Sequence, residues 1–231
     1  MKDHGFGYIV LILHVLITCE RKVFMAKKNT KEIILFKALS LFADKGYDGV
    51  TVRDIAAEVG IMQSSLYKHY KNKQEIFDTL VEEMQLKFKE AALMFHLPEG
   101  ELKKVAEEYA IGGNEILKKI SKNIFHYYLK DPYASKFRRL LSIERYKNKD
   151  IDNIYRNMYL DSAISYQATI FREMIKQGFI RDCNPEIMAL QFFSPIFVLL
   201  NQYDCIPEKE KEVIESLENH IEQFDMVYRK E

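Results

Sequence analysis

Between Gln63 and His69 the chain offers a carboxamide, two hydroxyls, a phenol, an ammonium and an imidazole in the run QSSLYKH. These groups suit the edges of base pairs and the oxygens of phosphates. A glutamine can pair bidentately with adenine, a serine hydroxyl serves either base, and a tyrosine hydroxyl or lysine ammonium grips phosphate. Leu66 is the apolar anchor of the run, which leaves Gln63, Ser65, Tyr67, Lys68 and His69 to project from it. Catalytic patterns are missing: there is no phosphate-binding glycine motif, no HExxH, no nucleophile elbow and no cluster of histidines with carboxylates. Glu107-Glu108 and Glu144-Arg145 read as solvated helix faces. The cysteines, Cys19, Cys183 and Cys205, are far apart and lack metal spacing, so no metal or cofactor is expected and reduced cytoplasmic thiols are the default.

The elements that must position QSSLYKH lie just before it. Val52, Ile55, Ala56 and Val59 fall at i, i+3, i+4 and i+7, one apolar stripe on a helix of two turns. Thr51 stands where an N-cap belongs, and Asp54 is in place to reach back to it, an acidic variant of the capping box. Gly60 suits the left-handed position that ends a helix. Ile61-Met62-Gln63 is a short connector, and Ser64-Ser65 can cap or open the second helix. Two short helices around a tight turn make a helix-turn-helix, whose second helix is shaped for a major groove.

Composition sets the frame for that motif. The 231 residues are 48% apolar and 29% charged, with few Gly and Pro, and apolar residues recur at helical spacing almost throughout. An all-α protein follows. Net charge is zero, but residues 25–73 hold nine Lys or Arg against five acids, a surplus that an acidic remainder cancels. A basic end on an acidic body is the asymmetry expected when only one end meets phosphates. The segments expected are 1–24, an apolar extension; 25–73, a three-helix DNA-binding head; and 74–231, a larger helical body.

Residues 1–24 stand apart. Tyr8 to Cys19 is an uncharged apolar run shorter than the roughly 20 residues needed to span a bilayer. A membrane anchor, a processed signal and a start codon assigned too far upstream compete as readings. The last is favoured, because Met25-Ala26-Lys27-Lys28-Asn29-Thr30 reads as a natural cytosolic start. No stable membrane association and a cytoplasmic location are therefore expected, with a membrane-tethered regulator as the alternative.

Helices are expected over 30–45, 74–95, 101–111, 115–130, from Asp131-Pro132 to about 146, over 152–177, 187–200 and about 207–229. Gly112-Gly113-Asn114 should break the body's first long helix. Pro195 should kink the penultimate one.

From Thr30 to about Leu80 the chain resembles the TetR family of bacterial transcriptional regulators. The resemblance rests on LFADKGYDGVTVRDIAAEVGI followed by QSSLYKHYKNKQEIF, in which Phe-Ala-x-x-Gly-Tyr, Thr-x-x-x-Ile-Ala-x-x-x-Gly and Leu-Tyr-x-His-Tyr-x-x-Lys keep the family's spacing. The rest of the chain resembles the family only in being helical and of suitable length. The resemblance implies a dimeric regulator, usually a repressor, that binds a palindromic operator in double-stranded DNA and is released by a small effector. Carried over by position, Thr51 and Arg53 lie at the entry of the helix crossing the backbone, and Gln63, Ser64 and Ser65 begin the recognition helix. Tyr67 and Lys73 match phosphate-holding positions, and His69 one facing bases or phosphate. Lys68 departs from the aromatic residue of some relatives. Arg53 has an alternative as a salt-bridge partner of Asp54 or Glu58, and Tyr70 reads as core.

For the body, the resemblance implies an effector pocket, placed on Tyr109, Asn114, Phe125, Tyr128, Tyr159, Tyr166 and Phe171, whose aromatic walls suit an apolar or planar ligand. It also implies pairing through the last two helices. Phe192, Phe193, Ile196, Phe197 and Leu200 leave the penultimate helix almost no polar face, and Ile214, Leu217, Ile221, Phe224 and Tyr228 form a seam at alternating spacing on the last. Those ten residues are the expected homodimer interface. An effector-independent DNA binder of the same fold is the alternative.

Overall fold

The computed structural model describes residues 29–94, 101–204 and 206–230. Among them the chain is helical throughout, apart from turns and a single bridge between Ile180 and Arg229. Residues 1–24, with the competing readings of that segment, lie outside the described residues, as do Lys27 and Lys28.

Three helices and the start of a fourth make the head. Helix α1 (Thr30–Lys45) begins under Asn29, whose side chain accepts from the Lys31 amide at 3.2 Å, and ends at Gly46 with φ 73°. Ile34, Leu35, Ala38, Leu39 and Phe42 are buried along it. Helices α2 (Val52–Val59) and α3 (Gln63–Leu66) follow, and Ile55, Ala56 and Leu66 close onto the same core. Helix α4 (Lys73–Met94) belongs to this core through its first half: Phe77 packs edge-on against both Phe42 and Tyr47.

The body begins with α5 (Leu102–Lys130). The expected break is a kink rather than an interruption: Gly113 alone leaves helical angles, at φ 52° and ψ −142°, which only glycine adopts without strain. Asp131 then caps α6 (Pro132–Glu144), its carboxylate accepting from the Tyr133 and Ala134 amides, with Pro132 at the first helical position. The helix expected from 152 starts earlier, as α7 (Lys149–Arg156), because Asn148 accepts from the Asp150 and Ile151 amides and so caps it. A π turn, Asn157–Asp161, joins α7 to α8 (Ser162–Lys176). Helix α9 (Pro185–Gln202) carries Pro195 in its interior, and α10 (Glu210–Tyr228) follows a 3-10 turn at Pro207–Lys209.

Helix α10 lies antiparallel against α5. Val213, Leu217, Ile221 and Phe224 are buried beneath it. Beside this seam Lys118 meets Glu222 at 2.5 Å, Lys122 meets Glu218, and Lys130 meets Glu210 at 2.5 Å. The lysines stand at i, i+4 and i+12 along α5, and the glutamates run the opposite way along α10. Partly exposed pairs of this kind stabilise little and chiefly fix register. Head and body share one continuous hydrophobic cluster, joined by α6 packed on α1.

Candidate nucleic-acid interface and interior cavity

The capping box on α2 forms as its residue types predict. The Thr51 amide donates to Asp54 Oδ2 at 2.8 Å, the Thr51 hydroxyl to the same oxygen at 2.6 Å, and the Asp54 amide to Thr51 Oγ1 at 3.1 Å. Hydrogen bonds from Thr51 hold the Asp54 carboxyl below its ordinary value. Gly60 ends α2 at φ 78° and ψ 32°, in the left-handed region, and Met62 opens α3 one residue before the expected connector ends.

With Leu66 and Tyr70 buried, the side chains left outside are those chosen for their chemistry. Gln63, Ser64, Tyr67 and Lys68 are exposed on one short segment, and Ser65 and His69 are half-buried beside them. Gln63 Nε2 donates to the Tyr67 hydroxyl at 3.3 Å, one turn on, which holds both tips together. Arg53 is exposed on α2, and its two sequence neighbours of opposite charge are already engaged: Asp54 by Thr51, and Glu58 by Lys37 at 2.8 Å. Thr51 is exposed too, with its hydroxyl committed to the cap.

Lys73 differs from its expectation. Its ammonium turns inward, donating to the Tyr47 and Val50 carbonyls at 2.9 Å each, and sits 4.1 Å from the centre of the Tyr47 ring. It ties the start of α4 to the loop before α2, a structural clamp rather than a free phosphate ligand. Glu144, read as part of a solvated face, is also corrected. It is buried at the head–body junction, where an oxygen accepts from the Tyr47 amide at 2.9 Å. A Cβ on Gly46 would stand 3.0 Å from that oxygen, and Gly46 has positive φ, so the contact needs glycine. Lys147 bridges Glu144 at 3.4 Å and Asp48 of the head at 3.5 Å.

Inside the body lies a cavity of about 250 Å³. It is walled by Phe88 of α4, by α5 from Tyr109 to Tyr128, by the π turn, by α8 from Ser162 to Gln167 and by α9 from Phe192 to Leu200. Five of the residues expected there line it: Tyr109, Phe125, Tyr128, Tyr159 and Tyr166. Burial pushes the hydroxyls of Tyr109, Tyr128 and Tyr159 well above the usual phenol range, so all three stay protonated. Asn114 and Phe171 do not line it. Asn114 adjoins the Gly113 kink, and Phe171 is core, stacked on Phe224 at 5.4 Å and edge-on to Phe192 at 5.9 Å. Sequence reasoning missed Phe88, Ser121, Met158 and Gln167. Ser162, Ala163, Tyr166 and Gln167 share a helical stripe that marks an inward face, but nothing in spacing separates a filled core from a hollow one.

The expected dimer set needs the largest correction. Phe192, Ile196, Leu200, Leu217, Ile221 and Phe224 are buried within a single chain. Phe193 and Phe197 are half-buried and line the cavity, while Ile214 and Tyr228 are half-buried against α10's neighbours, with the Tyr228 hydroxyl donating to Gln191. The cause is that α9 is apolar nearly all round, so its most aromatic face turns inward to wall the cavity and the seam of α10 closes on its own chain. Exposed apolar groups remain elsewhere on these helices: Ile187, Leu190 and Val198 on α9, and Met226 and Val227 on α10.

Among the described residues no cluster of metal-ligating side chains occurs, and no helix is long and apolar enough to cross a membrane. The geometry is that of a helix-turn-helix head on a hollow helical body, and the comparisons agree with that class. Residues 34–80 match the model for bacterial regulatory proteins of the tetR family. The biofilm operon icaADBC HTH-type negative transcriptional regulator IcaR of Staphylococcus epidermidis is 50% identical over 52 residues, 22% of this chain and 28% of that protein. Its counterpart from Staphylococcus aureus (strain Newman) is 45% identical over 51 residues, 22% of this chain and 27% of that one. The match thus spans about a quarter of the length of these curated relatives. Whole-chain likeness comes from solved structures. SmeT, the repressor of the Stenotrophomonas maltophilia multidrug efflux pump SmeDEF, superposes with a TM-score of 0.57 at 20% identity, over 88% of this chain and 92% of SmeT. The fatty acid degradation regulator FadR from Bacillus halodurans gives 0.57 at 14% identity, over 84% and 94%. At such identities these show the fold. Residues 34–80 thus match the tetR-family model, and the chain as a whole shares the fold of these solved structures.

Proposed function

We propose that this protein is a dimeric, sequence-specific DNA-binding transcriptional regulator, a repressor, whose hold on a palindromic operator is controlled by a small apolar effector in the interior cavity. The observation that carries the reading is the presentation of Gln63 and Ser64 on α3 and of Tyr67 and Lys68 on the turn that follows it, with Arg53 on the capped helix α2, all anchored through Leu66 and Tyr70. Exposed polar groups of these types on a rigid support can read base edges and hold phosphates. The Staphylococcus relatives are negative regulators and SmeT is a repressor. An effector is supported by the cavity and by SmeT having been solved as a complex with triclosan.

Pairing of two chains is assigned to the outer faces of α9 and α10, where Ile187, Leu190, Val198, Met226 and Val227 lie exposed. Two recognition helices about 34 Å apart then enter successive major grooves of one duplex face. The effector acts by population shift: it favours a dimer whose heads are wrongly spaced for DNA. The protein works in the cytoplasm, where its operator is.

Selection of bound duplexes from a random-sequence library tests this reading. Enrichment of a motif with two-fold symmetry supports it. Retention of all sequences alike, or of none, is the contrary result.

A further inference from the structure

Resting on the cavity assigned above to an effector, we infer that its ligand is an uncharged aromatic molecule of about two fused rings that carries a hydrogen-bond acceptor. Size comes first. A cavity of about 150 Å³ holds benzene, and this one measures about 250 Å³, which suits a second ring and a short substituent.

Shape follows from the walls. Nine of the nineteen lining residues are aromatic, and Tyr128 and Tyr159 meet edge to face at 5.4 Å, so the flat faces of a ring system find both stacked and edge-on partners.

Charge is decided by what the walls lack. None of the lining side chains is an acid, a lysine, an arginine or a histidine. A buried ion without a partner pays a desolvation cost that apolar contact does not offset. Tyrosine rings alone can hold a cation, but no carboxylate lines the cavity to balance one. The nearest buried charge on α6 is the Arg138 guanidinium. It does not recruit an anion, since Asp204 sits 2.7 Å from it and neutralises it.

The acceptor follows from Gln167. This residue lines the cavity and is buried, and its Nε2 has no hydrogen-bond partner among the described residues. A buried amide donor without a partner is costly, so a ligand oxygen that reached it would recover that cost. Ser121, buried in the same lining, offers a second hydroxyl donor.

Four probes of one size separate these statements: 2-acetylnaphthalene, 2-ethylnaphthalene, 2-naphthoate and trimethyl(2-naphthyl)ammonium. The chain contains no tryptophan, so naphthalene fluorescence is read against tyrosine alone on the full-length protein. The acetyl compound should bind best. The ethyl compound should bind about three- to tenfold more weakly for want of the hydrogen bond. Both ions should bind about a hundredfold more weakly, or not at all. In Gln167→Leu the acetyl and ethyl compounds should become equal, with Gln167→Met as the second variant if the first does not fold.

Equal or tighter binding of either ion overturns the inference, as does an acetyl preference that survives both variants or a failure of every probe to bind. Because binding is measured without DNA, these outcomes leave the DNA-reading role standing. Conversely, an acetylnaphthalene complex that leaves operator affinity unchanged removes the effector role but not the ligand class.

Discussion

Gln63 and Lys73 are both polar residues of the head, and the structure gives them opposite tasks. Gln63 is exposed at the start of α3, its Nε2 bonded to the Tyr67 hydroxyl, and on the proposed reading its carboxamide meets a base edge. Replacing it with alanine should cost about 1–3 kcal/mol at one base position and relax preference there, leaving affinity for random DNA unchanged. Competition between the selected site and single-base variants of it measures this; equal loss on operator and random DNA would mean that Gln63 reads no base. Lys73 spends two donors on the carbonyls of Tyr47 and Val50. Lys73→Met should therefore lower thermal stability, by about 1–3 kcal/mol for charged hydrogen bonds lost to buried carbonyls. The salt dependence of DNA binding should stay as it was, which titration at several salt concentrations checks. A phosphate ligand would behave the other way, lowering the salt slope by about one.

At the scale of elements, the parts legible in the sequence were those with local causes. The capping box at Thr51, the left-handed Gly60, the proline-started α6 and the stop at Gly46 each depend on a few adjacent residues, and each forms where the residue types require it. What escaped was set by tertiary partners. Glu144 looks like a surface acid until the Tyr47 amide, far away in sequence, comes to meet it. The stripe on α9 is equally apolar whether it faces a second chain or its own α5 and α8, and only the packing decides. Five of the expected residues line the cavity because aromatics of α5, the π turn and α8 face inward, whereas Phe171, on the same helix as Tyr166, falls one step round and joins the solid core.

The junction of α9 with α10 carries a pH dependence of its own. His220 Nε2 lies 2.8 Å from the Phe192 carbonyl, and burial holds its imidazole below the ordinary value of 6.5. A base whose folded pKa is depressed is protonated more readily when unfolded, so its contribution to stability is present above the unfolded value and is lost as pH falls below about 6.5. Melting temperature should thus decline on acidification through that window, and His220→Gln should flatten the decline. An unchanged slope in the variant would assign the effect to other groups.

For the molecule as a whole, the proposed reading gives the basic head to phosphates and the acidic body to pairing. The exposed apolar residues Leu190 and Val198 stand outside the cavity lining, so charge can be placed there without filling the pocket. Leu190→Glu with Val198→Glu should yield a folded monomer by light scattering, with helical content unchanged and operator affinity reduced about a hundredfold or more as one half of the contacts is lost. A dimer that persists in the double variant would place the interface elsewhere. Asp204, just beyond the end of α9, binds Arg138 and Arg139 of α6, and α6 in turn reaches the head through Glu144. Displacement of α9 by a ligand therefore bears on the same helix that holds the head.

The central claim is that Thr51 to Tyr70 forms half of a two-headed DNA reader. Its most direct test is the affinity of the purified protein for the selected symmetric duplex and for the same duplex with one half-site scrambled, measured at a single salt concentration. The account predicts that scrambling one half costs at least about a hundredfold, and that Gln63→Ala lowers affinity for the intact site toward that of the scrambled one. Equal affinity for the two duplexes would contradict it.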